Sequence, residues 1–216
     1  MTGDSSSFAG RAGLWQRIFA WAMSLGGPAD LDAAAVPYKR RLLGNLTGHV
    51  VEVGPGTGTN FAFLPPGIRW TGFEPNVYMH PYLQRTLRAY PHIAADIRTG
   101  TAEQLDLPDA SADAVITTLV LCSVTDQPQA LAEIRRVLKP GGRFVFIEHV
   151  AAPPGSGLRR AQRLIKPVWR RLGDGCHPDR ETWMAIQQAG FSMVEMERFS
   201  APYPIASPHI AGYAIK

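Results

Sequence analysis

Between His49 and His149 the sequence alternates short apolar runs with longer amphipathic stretches, and this alternation constrains the fold more than any other feature. Strands that alternate with helices form parallel sheets joined by right-handed crossovers. The pattern predicts five strands, over residues 49–53, 69–74, 94–99, 112–119 and 143–149. It places helices near Asn60, over residues 76–90 and over residues 127–138. The sequence therefore predicts a doubly wound α/β fold.

Elements on either side complete this prediction. Two helices precede the first strand, over residues 10–25 and 31–46, the second capped by Asp30. After a Pro/Gly loop come helices over residues 158–172 and 179–189, the latter closed by Gly190. The last two apolar runs, residues 192–199 and 209–216, are expected to form an antiparallel hairpin at the sheet edge. The result is a seven-stranded, mostly parallel sheet with an antiparallel last strand.

Composition limits the class of protein. The 216 residues suit one compact fold, and no apolar run reaches the ~20 residues that span a bilayer. The start of the chain lacks the pattern of a secretory signal, so we expect a cytoplasmic protein. The basic residues concentrated over 159–171 have no aromatic interleaving, which indicates a solvated helix face and no nucleic-acid partner. Two cysteines, Cys122 and Cys176, are interpreted as reduced thiols, and no metal site is predicted.

The strongest motif is a glycine turn that follows the first strand, in residues 50–58. Its glycines, Gly54, Gly56 and Gly58, are separated by single residues, whereas the dinucleotide fingerprint has a one-residue and then a two-residue gap. Glu52 ends the strand, where a carboxylate would repel the phosphates of a dinucleotide but suits a cationic sulfonium cofactor. The turn therefore favours S-adenosylmethionine.

Residues at the ends of the following strands extend this interpretation. Glu74 lies about twenty residues beyond the glycine turn, where a carboxylate accepts hydrogen bonds from both ribose hydroxyls. Ala102 and Glu103 follow the third strand, where the adenine would lie. The candidate cofactor-binding residues are Glu52, Gly54, Gly56, Thr57, Gly58, Asn60, Glu74, Pro75, Asn76, Thr101, Ala102, Glu103, Thr118 and Leu119.

Together with the Leu-Lys-Pro-Gly-Gly segment at residues 138–142, these motifs resemble those of class I S-adenosylmethionine-dependent methyltransferases. The resemblance implies S-adenosylmethionine as methyl donor and S-adenosylhomocysteine as product. A closer resemblance, from about residue 38 onward, is to the methyltransferase-like alkyl thiol methyltransferases. It is carried by residues 118–124, 148–151, 173–176, 182–183 and 208–214.

The closer resemblance implies that the acceptor is the thiol of a small lipophilic molecule or natural product. Animal members of that family carry an N-terminal membrane anchor, but here the corresponding apolar stretch is interrupted by Gln16 and Arg17. We therefore expect no stable membrane insertion. Residues 1–35 are predicted to form a helical lid over a methyltransferase domain of residues 36–216.

The acceptor half of the site is less specific. His149 ends the fifth strand and is a candidate base, as are Asp174 and His177 in the loop after the helix predicted over residues 158–172. Cys122 is expected in the core, and Cys176 is expected to be packed without a chemical role. Aromatic residues are expected to wall an apolar pocket, namely Trp15, Trp21, Tyr38 and those of the segment 199–208.

Three alternatives stay open at this point. One is a C- or O-methyltransferase of quinone or polyketide type, because the motifs near Leu119 and at residues 138–142 occur in those families too. Another is a nicotinamide-dependent oxidoreductase, which the glycine spacing disfavours. The last is a binding module without catalytic activity.

Overall fold

A computed structural model describes residues 6–26 and 29–216 of the chain. Its helices are α1 (Ser6–Ser24), α2 (Ala29–Leu43), α3 (His80–Leu87), α4 (Gln127–Val137), α5 (Gly157–Leu172) and α6 (Thr182–Gln188), with a 3-10 helix at Thr59–Phe63. Its strands are β1 (His49–Val53), β2 (Arg69–Phe73), β3 (Ala94–Arg98), β4 (Ala112–Thr118), β5 (Leu138–His149), β6 (Met193–Ser200) and β7 (Pro208–Ile215).

The seven strands form one sheet in the order β3-β2-β1-β4-β5-β7-β6. Parallel pairing runs from β3 to β5, whereas β7 is antiparallel to both β5 and β6. Val51 of β1 stands between Thr71 of β2 and Val115 of β4 in this register. The predicted fold is confirmed, including the terminal hairpin, whose second strand lies inside the sheet.

Two apolar layers cover the sheet because neighbouring side chains of a strand point to opposite faces. Val51 and Val53 pack on one face with Leu131 and Ile134 of α4. Val50 packs on the other face, in a cluster that holds residues of α2, the 3-10 helix and α3. Both faces are covered by helices, which explains why β1 is buried along its whole length.

Several boundaries differ from the prediction. Asp30 is not a cap, because α2 begins at Ala29. The predicted helix over 76–90 begins only at His80, since the Asn76 side chain and carbonyl accept from the N–H groups of Tyr78 and Met79 in a turn. The helix predicted from Asp179 begins at Thr182. β5 starts at Leu138 because the Lys-Pro-Gly-Gly segment is itself extended.

The surfaces of α1 and α5 also differ from expectation. On α1, the apolar side chains of Leu14 and Ile18 are exposed, whereas Phe19 and Ala20 face inward. A helix that is apolar around most of its circumference gives no unambiguous stripe, so the pattern could not select the face. On α5, Arg159 is buried and pairs with Glu181, so the basic stretch is only partly solvated.

Within the described part of the chain, the helices fall short of the length or the apolar character that a bilayer crossing requires. Residues 1–5 and 27–28 of the predicted lid lie outside the described residues. The predicted lid boundary, after residue 35, falls within α2, and Ala35 itself is in the core cluster that contains Val50.

Candidate active site

A cavity of about 730 Å³ opens at the carboxyl ends of β1, β2, β4 and β5. This is where the strand order reverses between β1 and β4, the usual ligand site of a doubly wound sheet. Twelve of the fourteen predicted cofactor residues line the cavity: Glu52, Gly54, Gly56, Thr57, Asn60, Glu74, Pro75, Thr101, Ala102, Glu103, Thr118 and Leu119. Most of the predicted cofactor residues therefore border one and the same cavity.

Glycine is required in the turn after β1 for two separate reasons. At Gly54 (φ 62°) an added Cβ would lie 2.6 Å from Val120 Cγ2, so the close approach to the loop after β4 needs glycine. At Gly56 (φ 57°) an added Cβ would meet nothing within 4 Å and the residue borders the cavity. Gly56 thus leaves its backbone open to a ligand.

Glu74 connects this turn to β2. One carboxylate oxygen accepts from the backbone N–H of Gly56 and the other from that of Asn76, each at 2.9 Å. Burial raises the pKa of Glu74, and the two backbone N–H groups oppose that shift. Each oxygen keeps a lone pair that can accept from a ribose hydroxyl. The carboxylate therefore holds the glycine turn in place beside the position predicted for the ribose.

Glu52 is tied into the wall of the cavity. Its carboxylate accepts from Trp70 Nε1 at 2.8 Å and from Asn60 Nδ2 at 2.9 Å, and Asn60 Nδ2 also reaches Thr118 Oγ1 at 3.0 Å. Burial raises the pKa of Glu52. Glu52 thereby joins β1, β2 and β4 around the site, and its charge lies where a sulfonium cofactor would bring a cation.

The turn after β3 has a similar construction. Ala102 is buried, while the Glu103 side chain accepts from the backbone N–H of Thr125 at 2.7 Å and of Asp126 at 3.2 Å. Burial would raise the pKa of Glu103, but these backbone donors outweigh it and lower the pKa. Glu103 fixes the loop after β3 against the loop that precedes α4.

Two predicted cofactor residues lie behind the cavity wall. A Cβ at Gly58 would meet the Phe61 ring at 2.7 Å, so Gly58 is needed for packing. Asn76 is buried, and its side-chain Nδ2 donates to the carbonyl of Gln16 on α1 at 3.1 Å. Asn76 thus attaches α1 to the end of β2.

The three candidate bases have different positions. His149 and Asp174 line the cavity, whereas His177 does not. His149 is buried and its Nε2 contacts Cys176 Sγ at 2.8 Å. Burial raises the pKa of Asp174. Burial, with the charge of Arg180, lowers the pKa of His177 to about 4.

Sequence reasoning missed several residues of the cavity. Lys39 of α2 is buried and donates to Thr59 Oγ1 at 3.1 Å. Cys122, expected in the core, also borders the cavity, and so does Cys176. The one signal for Lys39 is its spacing on α2, four residues after Ala35 and three before Leu42, which places it on the buried face of the helix. Nothing in the local sequence links the two cysteines, which lie in different loops.

The aromatic wall is only partly as predicted. Tyr203, from the segment 199–208, borders the cavity, but Trp15, Trp21 and Tyr38 do not. Trp21 is 56% exposed, and Tyr38 stacks on Phe199 with ring centroids 4.2 Å apart. Phe19 from α1 and Trp169 from α5 take the expected places in the wall. The cavity therefore has a polar end at the glycine turn and a more apolar end beneath α1 and α5.

Comparisons with known proteins agree with this geometry. A family profile described as "Methyltransferase domain" matches residues 51–146. Thiol S-methyltransferase TMT1B of Rattus norvegicus is 42% identical over 172 residues, which cover 77% of this chain and 70% of that protein. Human thiol S-methyltransferase TMT1A is 40% identical over the same shares of the two chains. A UbiE C-methyltransferase of Caulobacter sp. is 55% identical, but over only 47% of each chain.

Among solved structures, the fold is shared with a Thermotoga maritima protein described as an S-adenosylmethionine-dependent methyltransferase. The TM-score is 0.66 at 21% identity, over 91% of this chain and 93% of the other. The cyclase SpnF gives a TM-score of 0.69 at 18% identity, over 94% and 93% of the two chains. At these identities the likeness concerns the fold alone.

The strand order, the glycine turn and the carboxylate at the end of β2 define a class I methyltransferase that uses S-adenosylmethionine. The similarity over three quarters of the chain is more specific. This protein belongs to the family of the thiol S-methyltransferases TMT1A and TMT1B.

Proposed function

We propose that the protein transfers the methyl group of S-adenosylmethionine to the thiol of a small lipophilic acceptor. The observation that carries this proposal is the identity of about 40% with thiol S-methyltransferases over 77% of the chain. The shape of the cavity supports it, since the apolar end beside Phe19, Trp169 and Tyr203 suits a lipophilic acceptor next to the donor end.

Methyl transfer is an in-line displacement at a carbon that the sulfonium already activates. The main contribution of the protein is to hold donor and acceptor in line, an effect worth ~7–11 kcal/mol in well-aligned systems. In this proposal Glu74 and the turn at Gly56 position the donor, and Glu52 provides negative charge near the sulfonium. The thiol, with a pKa near ~8.5, needs little help to ionise.

The proton of the acceptor leaves near the apolar end of the cavity. The ionisable groups proposed to assist are Asp174 and His149, both of which border the cavity. Asp174 is a weak base, because burial raises its pKa only from the low value of a carboxyl group, and in His149 the Nε2 nitrogen is already in contact with Cys176 Sγ. Such groups suit a thiol better than an alcohol.

The acceptor element is tested with a thiol and a phenol of matched shape. We expect kcat/KM for the thiol to be at least several-fold larger and to rise with pH as the thiolate fraction grows. Release of S-adenosylhomocysteine measures both reactions, with the acceptor-free enzyme as the blank. Efficient methylation of the phenol alongside an inert thiol would contradict the sulfur assignment and leave the methyltransferase class intact.

A C-methyltransferase of quinone type is the second candidate, because UbiE proteins match part of the chain. The first of these relatives covers 58% of the chain, against 77% for the thiol S-methyltransferases. A nicotinamide-dependent oxidoreductase has no such support. We also propose a cytoplasmic location. Both cysteines are free thiols, as is usual for proteins in a reducing compartment.

We further propose that α1 acts as a lid over the acceptor end, with residues 1–35 as the covering segment. Gln16, Phe19 and Met23 of α1 border the cavity, and the Gln16 carbonyl accepts from Asn76. Both contacts support the proposal of a lid, because closure of such elements excludes water from the reacting atoms.

Truncation of this segment should separate turnover from donor binding. Deleting residues 1–28 is expected to lower thiol turnover far more than the affinity for S-adenosylhomocysteine, measured by calorimetry. Phe19→Ala should raise KM for the acceptor, whereas Trp21→Ala, on the exposed side of the same helix, should not. If both truncation and Phe19→Ala weaken donor binding as much as turnover, α1 belongs to the donor half instead.

A further inference from the structure

Three side chains that are far apart in the sequence meet at the acceptor end of the cavity. Cys122 lies in the loop after β4, His149 is the last residue of β5, and Cys176 lies in the loop after α5. One ring nitrogen of His149 and the two Sγ atoms all lie within 4.8 Å of one another. All three side chains are buried: Cys122 is 2% exposed, His149 5% and Cys176 7%.

Two thiols and an imidazole form a donor set that prefers Zn²⁺. In a tetrahedral zinc site with normal bond lengths, neighbouring sulfur and nitrogen ligands stand roughly 3.5–3.8 Å apart. His149 Nε2 and Cys176 Sγ are 2.8 Å apart. Binding of an ion would therefore increase the distance between these two atoms by less than about 1 Å. A change of that size is within the reach of side-chain rotation alone.

The surroundings of the three side chains are those of a fixed site. The His177 backbone N–H donates to the carbonyl of Cys122 at 2.9 Å, which joins the two cysteine loops. Arg180 Nη1 donates to the carbonyls of Leu121 at 2.9 Å and Val124 at 2.7 Å. Trp169 Nε1 donates to Cys176 Sγ at 3.2 Å, the kind of outer hydrogen bond that supports a metal-bound thiolate.

The second ring nitrogen of His149 is not the one that contacts Cys176. Its Nδ1 is buried, and no group in residues 6–26 and 29–216 forms a hydrogen bond with it. No hydrogen bond at Nδ1 therefore fixes the tautomer of the ring. When the proton is on Nδ1, the lone pair of Nε2 is free to coordinate a metal.

The cluster provides three ligands, which is the number found in catalytic zinc sites that keep a fourth position for substrate. All three side chains border the same cavity as Gly56 and Glu74. A fourth ligand would therefore enter from the cavity, on the side that holds the donor.

We propose that Cys122, His149 and Cys176 bind a Zn²⁺ ion whose fourth ligand is the sulfur of the acceptor thiol. The identity of that fourth ligand rests on the proposed function, whereas the three protein ligands do not. The sequence alone predicts no metal site, and this proposal replaces that prediction. It gives Cys122 and Cys176 a role, and it makes His149 a metal ligand instead of a group that assists in removing the acceptor proton.

The reaction balances without any further reagent. The acceptor thiol loses its proton to solvent when it binds the ion, and the zinc-bound sulfur then supplies the electron pair for a new bond to the methyl carbon. The bond from that carbon to the sulfonium sulfur breaks, and its electron pair stays on the sulfur of S-adenosylhomocysteine. The neutral thioether product is a weak ligand and leaves the ion.

The first experiment measures metal in tag-free protein purified under reducing conditions. We expect stoichiometric zinc by mass spectrometry of the metal content, and its loss in Cys122→Ser, Cys176→Ser and His149→Gln. His177→Gln is the matched control, since this neighbouring imidazole does not border the cavity. Zinc retained by the Cys122→Ser/Cys176→Ser double variant would overturn the assignment of the ligands.

Cobalt gives a readout that does not depend on activity. The chain has two cysteines, both in the cluster, so any thiolate-to-cobalt charge-transfer band arises from Cys122, Cys176 or an added thiol. Titration of the reduced, metal-free wild-type protein with Co²⁺ should produce this band together with the visible bands of a tetrahedral site. Absence of both kinds of band would overturn the proposal even if the variants fail to fold.

The fourth ligand is tested on the same cobalt protein. An alkyl thiol should shift the charge-transfer band, and the alcohol of the same carbon skeleton should leave it unchanged. Full thiol methylation by metal-free protein would refute the metal proposal and leave the proposed function standing. Conversely, a cobalt site that ignores thiols, in an enzyme that prefers the phenol, would remove the thiol function and leave the metal site.

Discussion

Replacing Gly56 by valine is expected to reduce the affinity for S-adenosylhomocysteine by more than about 100-fold, because the new side chain would occupy the space that the donor needs. A Cβ at this position meets no protein atom within 4 Å, and the residue borders the cavity at the carboxyl ends of the strands. Isothermal titration calorimetry with S-adenosylhomocysteine measures the effect directly.

The substitution also strains the backbone, so it needs a control that shares the strain. Gly67 has φ 82°, an added Cβ there meets nothing within 4 Å, and the residue does not border the cavity. Left-handed backbone costs a non-glycine residue about 1–2 kcal/mol, so both variants should lose some thermal stability. Gly67→Val should nevertheless bind the ligand normally. Equal loss of affinity in both variants would mean that strain, and not occupation of the cavity, is responsible.

Replacing Glu74 by alanine is expected to weaken S-adenosylhomocysteine binding by about 10- to 100-fold. Hydrogen bonds to a charged group contribute ~1.5–3 kcal/mol. Glu74 accepts from the N–H of Gly56, and it is predicted to accept from the ribose hydroxyls as well. Glu74→Gln keeps one acceptor oxygen and should lose less affinity than alanine does.

Glu195→Ala provides the comparison, since this exposed glutamate lies on β6, the strand at the far edge of the sheet. It should leave binding unchanged. Unaltered affinity in Glu74→Ala would remove the ribose assignment and, with it, the interpretation of the end of β2. Because burial raises the pKa of Glu74, we expect donor affinity to decline on acidification before an ordinary glutamate would titrate.

The donor half was predictable because its signals are local. β1, with five buried residues in a row, runs directly into the glycines. Glu74 is the first residue after β2 and lies about twenty residues beyond the glycine turn. Backbone approach and strand-end position decide what such residues do, and both are visible in a short stretch of sequence. The antiparallel β7 was predictable for the same reason, since a brief loop separates it from β6.

The acceptor half depends on contacts between distant segments. Cys122 and Cys176 lie in two different loops and His149 ends β5, so their meeting depends on the packing of α5 and on the register of β5 beside β4. The inward face of α1 was also out of reach, because Trp15 and Phe19 are equally apolar and only the tertiary contact of Gln16 with Asn76 distinguishes their sides. Local pattern predicts elements well and their mutual approach poorly.

The interior position of β7 has a consequence for how the protein is made. Residues 208–215 are synthesised after every other strand, yet they separate β5 from β6 in the sheet. Until these residues have been synthesised, the edge of β5 that carries Phe144 and Phe146 has no partner strand. An open apolar edge of this kind is prone to aggregation. Shortened products that end before Pro208 should therefore expose the edge of β5 and aggregate or be degraded more readily than the full chain.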